Sequence, residues 1–444
     1  MLSDPIVALA TPPGRSALAI VRLTGRGVPA VAARCLEPFP DTPRTLTRAR
    51  LRHPGTRELI DEPLVARYVA PQSYTGEDMA EVFTHGGLVV PADAVAAFLA
   101  AGARPAEGGE FTRRALRNGK LDLLQAEATA DLIDAGSPAQ RRFALEQLDR
   151  GLSARLAALR TEVLELEALV AYEIDFPDED DGPIGPGRVR QAEDALRTRL
   201  GALLATAPEG ERLREGALLV IAGRPNAGKS ALFNALLGRE RALVTPIPGT
   251  TRDAIEASAV LEGFPFRLVD TAGLRAGAEP VEQLGIEVAA RYLGAADLVL
   301  FCEEAGAPPD DGVARAWLAG VRAPVVLAAT KLDAGGAVPP GALGVSAFAG
   351  TGLDELRRRL AATAFGRLLA RAAEPVVTRA RHRIALARAL DEVTAFGQAR
   401  AAGLEAAVAA AHLRAAATAL DLLIGAVTPD DVLDRVFASF CVGK

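Results

Sequence analysis

Apolar and polar positions along the chain fall into three textures. Up to about residue 118, short β-rich runs (Ile6 to Ala10, Leu18 to Leu23, Leu64 to Val69) sit between Pro and Gly punctuation, which predicts a mixed α+β domain. From Leu121 to about Tyr172 the texture is helical, with Leu156, Leu159, Val163, Leu166 and Val170 recurring at threes and fours. An acidic break, Asp178-Glu179-Asp180-Asp181-Gly182-Pro183, interrupts it, and a further helix near Arg188 to Leu204 leads to Pro208. Residues 214–373 carry short apolar runs (Ala217 to Ala222, Phe266 to Val269, Val325 to Ala329, Leu343 to Val345), each ending at a polar motif, the pattern of buried parallel strands. Helical texture returns from Arg379 onward. Its core faces, marked by Leu386, Leu390 and Val393, then Leu413, Leu420, Leu423 and Ile424, are narrow and alanine-rich, so these helices need partners. The simplest arrangement is multidomain α/β: an N-terminal domain (1–118), a helical domain in two parts (119–213 and 374–444), and an inserted doubly wound α/β module (214–373).

The polar motifs after the strands carry the chemistry. Gly223-Arg224-Pro225-Asn226-Ala227-Gly228-Lys229-Ser230 follows a buried strand and opens an amphipathic helix (Leu232, Phe233, Leu236, Leu237). This is a phosphate-binding loop. Gly223 and Gly228 permit backbone angles that turn successive amides toward one anion, Lys229 reaches the terminal phosphates, and the Ser230 hydroxyl ligates magnesium. The contacts expected here run over Asn226, Ala227, Gly228, Lys229, Ser230 and Ala231, with the helix adding its positive end. Downstream, Gly249-Thr250-Thr251-Arg252-Asp253 supplies a segment whose Thr251 offers a second magnesium ligand and a γ-phosphate sensor, and nucleotide contacts are expected over Thr245, Pro246, Ile247, Pro248, Gly249, Thr250 and Thr251. Asp270-Thr271-Ala272-Gly273 sits at a strand's carboxyl edge, placing a carboxylate near the metal and the Gly273 amide near the γ-phosphate. Thr330-Lys331-Leu332-Asp333 brings a carboxylate that accepts two hydrogen bonds from guanine, where adenine has no such paired donors. Ser346-Ala347 closes the base pocket. Four such segments in order, each at a strand end, define a GTP-binding and hydrolysing site.

Composition restricts the setting. The chain has 444 residues, half of them hydrophobic, enough for two or three domains with sizeable cores. Charge interrupts the apolar stretches before the ~18 consecutive residues a spanning helix needs, and Met1-Leu2-Ser3-Asp4 lacks an export signal, so no membrane and a cytoplasmic location are expected. Three separated cysteines (Cys35, Cys302, Cys441) exclude a disulfide scaffold and suit a reducing compartment. A net charge of −6 argues against broad nucleic-acid binding, and the local run Arg379, Arg381, Arg383, Arg388 reads as a solvated helix face.

The chain resembles the MnmE (TrmE) family of tRNA modification GTPases. The likeness is carried by Ala10-Thr11-Pro12-Pro13-Gly14-Arg15, by Ser73-Tyr74-Thr75-Gly76-Glu77-Asp78 with His85-Gly86-Gly87, by Asn118-Gly119-Lys120-Leu121-Asp122-Leu123 with Gln125-Ala126-Glu127-Ala128, and by the last residues, Val432 to Lys444, ending Phe440-Cys441-Val442-Gly443-Lys444. The resemblance implies an N-terminal domain that forms a homodimer and binds a tetrahydrofolate derivative, in the 5,10-methylene or 5-formyl form. It further implies a discontinuous helical domain with an inserted GTPase. With the flavoprotein MnmG, in a heterotetramer, the family adds an aminomethyl or carboxymethylaminomethyl group at C5 of the wobble uridine of certain tRNAs. Arg22, Glu81, Lys120 and Lys444 match the family's folate positions.

Read from the residues alone, Arg22 is equally an edge-strand guard, Lys120 a surface residue at a helix start, and Lys444 a frayed tail. Cys441 reads as a buried small thiol rather than a nucleophile.

Two catalytic parts are missing from the local motifs. Leu274 stands where Ras-like enzymes place a water-orienting glutamine, and Arg275, Glu279, Glu282 and Glu287 are polar candidates to replace it; spacing alone does not rank Glu282 above Glu279. The family pattern maps the role onto Glu282. No arginine finger is apparent beside Lys229 and magnesium. By resemblance, a potassium site formed by Asn226 with Thr245, Ile247 and Thr250, ordered when nucleotide domains dimerise, fills that role; without the family, Asn226 is a turn residue.

Two departures stand out. Thr330 replaces the usual asparagine, and Glu107-Gly108-Gly109-Glu110-Phe111 lacks the customary proline before the second glycine. A ribosome-assembly GTPase shares the four nucleotide motifs, but the basic, glycine-centred RNA-binding appendage expected of it is not visible. A folate-dependent aminomethyl carrier with a regulatory nucleotide domain and a non-enzymatic switch are the other readings.

Overall fold

The computed structural model describes residues 3–175, 187–238, 256–271, 291–307, 320–370, 375–425, 430–437, 440 and 442–443. The acidic break at 178–183, the segment Thr245 to Thr251, residues Ala272 to Glu287, Cys441 and Lys444 lie outside the described residues. By contacts the chain divides into two compact units, Met1–Ala130 with Asp421–Lys444, and Asp131–Leu420.

The first unit contains β1 (Ile6–Leu9), β2 (Gly14–Thr24), α1 (Val28–Ala33), β3 (Leu36–Glu37), β4 (Leu46–Arg48), β5 (Arg50–Arg52), β6 (Leu59–Asp61), β7 (Leu64–Tyr68), β8 (Met79–Gly87), α2 (Val89–Ala100), β9 (Arg104–Pro105) and α3 (Glu110–Arg117). Six strands form one sheet in the order β4-β7-β8-β2-β1-β9, and β3-β5-β6 form a small second one. Alternation along β2 buries Ala19, Val21 and Leu23, and packs Val21 and Leu23 into one core with Val7, Val82 and the helical Ala94 and Phe98. β2 has neighbours on both sides, so Arg22 does not guard an edge; it stands opposite Glu81 of β8. Below the sheet, the fully buried Arg114 donates to Asp4, Glu77 and Glu110, and Arg104 adds a second guanidinium to Asp4 and Glu110. Paired in this way the buried charges keep their hydrogen bonds.

The last residues also belong to this unit. The helix over Asp430–Phe437 and the following Phe440 pack Phe437 and Phe440 on Ala126 and Leu116. A side chain at Gly109 would meet both phenylalanines at 2.9 Å, and one at Gly443, whose φ is +97°, would meet the Leu9 carbonyl at 2.6 Å. At both places the tail's close approach requires glycine.

The second unit begins as α4 (Leu123–Ile133) ends and continues with α5 (Pro138–Leu148), α6 (Gly151–Asp175), α7 (Arg188–Leu204), α8 (Ala207–Glu215), β10 (Ala217–Gly223), α9 (Lys229–Leu237), β11 (Glu256–Leu261), β12 (Phe264–Asp270), β13 (Leu298–Glu304), β14 (Val325–Thr330), β15 (Leu343–Gly344), α10 (Leu353–Ala370), α11 (Ala380–Ala401) and α12 (Ala406–Ile424); α13 (Asp430–Phe437) is the tail helix above. The helical texture from Leu121 is thus three helices. Ser137 caps α5 by accepting from the Gln140 amide, and Arg150, at φ +63°, separates α5 from α6.

The sheet of this unit runs β11-β12-β10-β13-β14-β15, parallel except for the β11–β12 hairpin. Its central β10 is apolar throughout and β13 is apolar up to Glu303 because both faces are covered. One face receives Leu232 and Leu236 of α9, Leu356, Leu360 and Phe365 of α10, and also Ala139 and Phe143 of α5 and Leu213 of α8. Phe365 stacks on Phe264 at 4.7 Å and meets Phe266 edge-on at 5.5 Å. It also breaks α10, with φ −134°, and Glu209 accepts from the Arg367 and Leu368 amides of the resumed helix.

Leu156, Leu159, Val163, Leu166 and Val170 are all buried along α6, as their spacing predicts. α7 and α11 meet closely at Gly397, where a side chain would strike the Glu193 carboxylate at 1.9 Å; burial pushes that carboxyl above its usual value. α12 is the one described helix long and apolar enough to cross a membrane by length and composition. Its Leu413, Leu420 and Leu423 are buried, and its polar positions are paired, Arg414 with Glu167 and His412 with Glu392, as in a helix packed within a bundle. The basic run is likewise engaged: Arg379 pairs with Asp131 at 2.6 Å and Arg383 with Glu211 at 2.8 Å.

Candidate functional site

The nucleotide site is built where β10, β12, β14 and β15 end. β10 stops at Gly223, whose φ is +141° and whose missing side chain would lie 2.1 Å from the Cys302 carbonyl of β13. The loop then turns through Asn226 (φ +62°) and Gly228 (φ +72°) into α9. Lys229 is buried at the start of that helix and its ammonium donates to the Gly223 and Arg224 carbonyls at 3.1 and 2.7 Å. It is therefore held across the loop, a placement that suits an anion cradled by the loop amides. Ala227 is buried and Ser230 follows in the first turn of α9, with Ala231 next.

Ser230 and Asp270 meet, as their separate motifs predict. The Ser230 hydroxyl donates to Asp270 Oδ2 at 2.6 Å, and Asp270 is itself buried at the end of β12. The neighbouring Thr271 uses its hydroxyl on the Ile221 carbonyl at 2.9 Å, which fixes the β12 terminus against β10. Two hard oxygen donors beside a lysine fit a hexacoordinate magnesium ion, which keeps several waters and takes one or two protein oxygens. Asn226 is the described member of the expected potassium set; Thr245, Pro246, Ile247, Pro248, Gly249, Thr250 and Thr251 lie outside the described residues, as do Ala272, Gly273 and Glu282.

The residues expected at the base-reading end are all described. Thr330 is buried, and its hydroxyl lies 2.7 Å from the Ala227 carbonyl and 2.9 Å from that of Glu303. It ties the phosphate loop to β13 and β14, the task an asparagine amide would perform with two N–H donors. Lys331, at φ +54°, lays its ammonium on Glu304 at 2.8 Å. Asp333 is oriented by Ser346, whose buried hydroxyl donates to Oδ1 at 2.6 Å and accepts from the Ala349 amide at 2.9 Å; Ala347 follows in the same turn. Sequence spacing placed Ser346 at the pocket wall but not on Asp333. The signal for that contact, a serine two residues after the last strand, is visible only once β14 and β15 pair in register. Cys302 lies under the loop as an inert thiol, pushed up to about 12 by burial.

In the first unit, Arg22 grips Glu81 with Nε and Nη2 at 2.9 and 2.7 Å and sends Nη1 to the Gly443 carbonyl at 3.3 Å. Tyr68 donates to the other Glu81 oxygen at 3.2 Å, and Tyr74 and Phe111 each face the guanidinium at 5.8 Å. Tyr68's own hydroxyl is shifted upward, by burial first and by Glu81 second. Lys120 is exposed between α3 and α4 and donates to the Pro71 carbonyl at 3.1 Å; no described bond joins it to Arg22 or Glu81. Lys444 lies outside the described residues.

A largely parallel sheet with a glycine-bounded loop leading into α9, the Ser230–Asp270 contact behind it and the Ser346-held carboxylate of Asp333 at the neighbouring strand ends defines a P-loop GTPase fold. The model of the GTP-binding protein TrmE N-terminus matches residues 5–120, and that of the MnmE helical domain matches residues 123–441. Proteins named tRNA modification GTPase MnmE align along their whole length: 45% identity in Methylobacterium sp. (100% of both chains), 42% in Chloroflexus aurantiacus (100% of both) and 42% in Thermus thermophilus (100% of this chain, 99% of that one). The chain belongs to the tRNA modification GTPase MnmE family. Among solved structures, the G domain of the T. maritima FeoB iron transporter is 27% identical, covering 33% of this chain and 98% of that one at a TM-score of 0.26.

Proposed function

We propose that this GTPase drives modification of the wobble uridine of certain tRNAs at C5, adding an aminomethyl or carboxymethylaminomethyl group in the cytoplasm with the flavoprotein MnmG and a tetrahydrofolate one-carbon donor. In this reading residues 214–373 are the GTPase domain, 119–213 and 374–444 the helical domain around it, and 1–118 the dimerising, folate-binding domain. The observation that carries the GTPase part is the Ser230–Asp270 contact at 2.6 Å beside the buried Lys229, joined through Thr330 to the base reader.

Lys229 holds the β- and γ-phosphates, and Ser230 with Thr251 holds magnesium, which when bound neutralises charge developing on the phosphates. Asp333, kept in orientation by Ser346, accepts from the guanine edge. Glu282 accepts a proton-bearing contact from the attacking water, the task Leu274 cannot perform. Asn226, with oxygens of Thr245, Ile247 and Thr250, would hold a potassium ion, which when bound would supply the positive charge an arginine finger supplies elsewhere, with pairing of two GTPase domains ordering the site.

The folate part is supported by Arg22, Glu81 and the chain's tail meeting at one place between Tyr68, Tyr74 and Phe111: carboxylate and guanidinium suit the hydrogen-bonding edges of a pterin, and the rings suit its faces. Lys120 and Lys444 complete the set. A homodimer is supported by exposed Leu18, Leu46, Leu64, Leu88 and Val89 on the N-terminal unit.

The test is twofold. GTP turnover is measured in saturating potassium and in saturating sodium; equal rates would remove the potassium role. Nucleosides of tRNA from cells lacking this protein are then compared with those from cells restored with the intact or Lys444-deleted chain. Unaltered wobble uridines in the deficient cells would overturn the tRNA reading.

A further inference from the structure

The turn that follows β15 carries a side chain that the folded protein leaves in water. Phe348 is 95% exposed, the most exposed of the described large apolar residues. A single apolar residue on a surface is ordinary; what sets this one apart is where and how firmly it is fixed. Ser346 accepts from the Ala349 amide through Oγ and from the Gly350 amide through its carbonyl, both at 2.9 Å, and its own amide donates to the Thr351 carbonyl at 2.9 Å. The backbone on both sides of Phe348 is thereby tied down.

The same Ser346 hydroxyl donates to Asp333 Oδ1 at 2.6 Å. Phe348 therefore stands two residues, at most about 7 Å of chain, from the group that holds the base-reading carboxylate. The Leu332 amide donates to the Val345 carbonyl at 3.1 Å, which lays the Lys331–Asp333 segment beside this turn. Lys331 has its ammonium pinned by Glu304 at 2.8 Å, and its stem passes Gly228, where an added side chain would meet Cγ at 3.9 Å. Thr330 has one hydroxyl proton, faces the Ala227 and Glu303 carbonyls and is 4% exposed, so it has no donor to spare for a base. Edge recognition falls to Asp333, which covers neither face of a base.

We propose that Phe348 is a wall of the base site, its ring stacked on one face of guanine with the apolar stem of Lys331 toward the other. The proposal rests on the GTPase reading above and divides the work within that site. Stacking on an aromatic ring is open to every base, because each has a π-face, whereas a carboxylate that accepts two hydrogen bonds selects the base that offers them. Phe348 thus sets how tightly a nucleotide is held, and Asp333 sets which nucleotide it is. Binding also covers a ring that otherwise stays in water, and the tied turn means that little order has to be gained.

The experiment is a calorimetric titration of full-length parent and variants with GDP and with IDP, whose base lacks the 2-amino group that Asp333 reads. Phe348→Ala should weaken GDP binding by about 5- to 150-fold, the range for losing one base–aromatic stack. IDP binding should weaken by the same factor, so that the ratio of the two affinities stays within about twofold of the parent's. Phe348→Tyr keeps the ring and should match the parent, while Phe348→Leu keeps apolar bulk without a π-face and should fall between. The thermal midpoints of the nucleotide-free variants should lie within about 2 °C of the parent, since a side chain this exposed supports no core. In NMR of isotope-labelled GDP, the base proton shielded by the ring in the parent complex should move downfield in Phe348→Leu.

GDP affinity of Phe348→Ala within about twofold of the parent would overturn the proposal; if GTP turnover of that variant falls at the same time, the ring belongs to a contact between copies of the chain. A loss confined to GDP would overturn it as well, because it would place the ring in edge recognition. A parent protein that binds no GDP would remove the GTPase reading itself, and this proposal with it.

Discussion

Replacing Thr330 by valine isolates one hydroxyl. The two side chains have nearly the same shape, so packing at this buried position is kept while a hydrogen bond shared between the Ala227 and Glu303 carbonyls, at 2.7 and 2.9 Å, is removed. Leaving buried carbonyls short of a donor costs about 1–3 kcal/mol. Two places can register that cost. If the phosphate loop keeps its position, stability falls by the full amount, and the midpoint of the nucleotide-free protein drops by about 2–4 °C per kcal/mol. If the loop instead relaxes away from β14, the loss is transferred to binding, where 1–3 kcal/mol weakens GDP affinity by about 5- to 150-fold.

The assay is a fluorescent-GDP titration paired with thermal unfolding of the same nucleotide-free samples. Thr330→Ser keeps the hydroxyl and should lie close to the parent protein. Thr330→Asn places two N–H donors toward the same two carbonyls and should bind GDP at least as tightly as the parent. Thr330→Val with affinity within twofold of the parent and an unchanged midpoint would refute the reasoning, because it would show that the hydroxyl holds nothing.

Ser346→Ala removes the hydroxyl that orients Asp333 and should weaken GTP binding by about tenfold, one charge-assisted hydrogen bond, without changing weak ATP binding in calorimetry; equal effects on the two nucleotides would argue against an orienting role. For Glu110, burial works to raise the carboxyl, but bonds from Arg104, the Glu107 amide and Arg114 overcome it and hold the carboxyl below its usual 4.5. Its contribution is therefore complete above about pH 4.5 and is lost as pH falls through the lowered value. Glu110→Gln should lower the first unfolding transition at pH 7 by about 3 kcal/mol, the cost of breaking a buried pair, and the gap should narrow toward acid pH in scanning calorimetry. A gap constant with pH would place the effect in packing instead.

What was legible in the sequence is what depends on neighbours along the chain. Gly223, Gly228 and Lys229 announce a phosphate loop because a tight turn between a strand and a helix needs those torsions and that charge within eight residues, and β10, β14 and α7 lie where their apolar runs predict. The buried stripe of α6 follows in the same way from a period of threes and fours. Tertiary structure decided the contacts between groups far apart in the chain. Ser346 reaches Asp333 and Thr330 reaches Ala227 only because parallel strands bring their ends to one edge. Arg22 is a clamp on Glu81 rather than an edge guard because β2 acquires neighbours on both sides, and it reaches Gly443 because the tail returns to the first unit. Phe143 reads as one more apolar position on a helix, yet it packs under the GTPase sheet. Backbone torsion and side-chain period are local properties and are written in the sequence directly; sheet register and helix docking are set by the burial of many residues together, and no single segment encodes them.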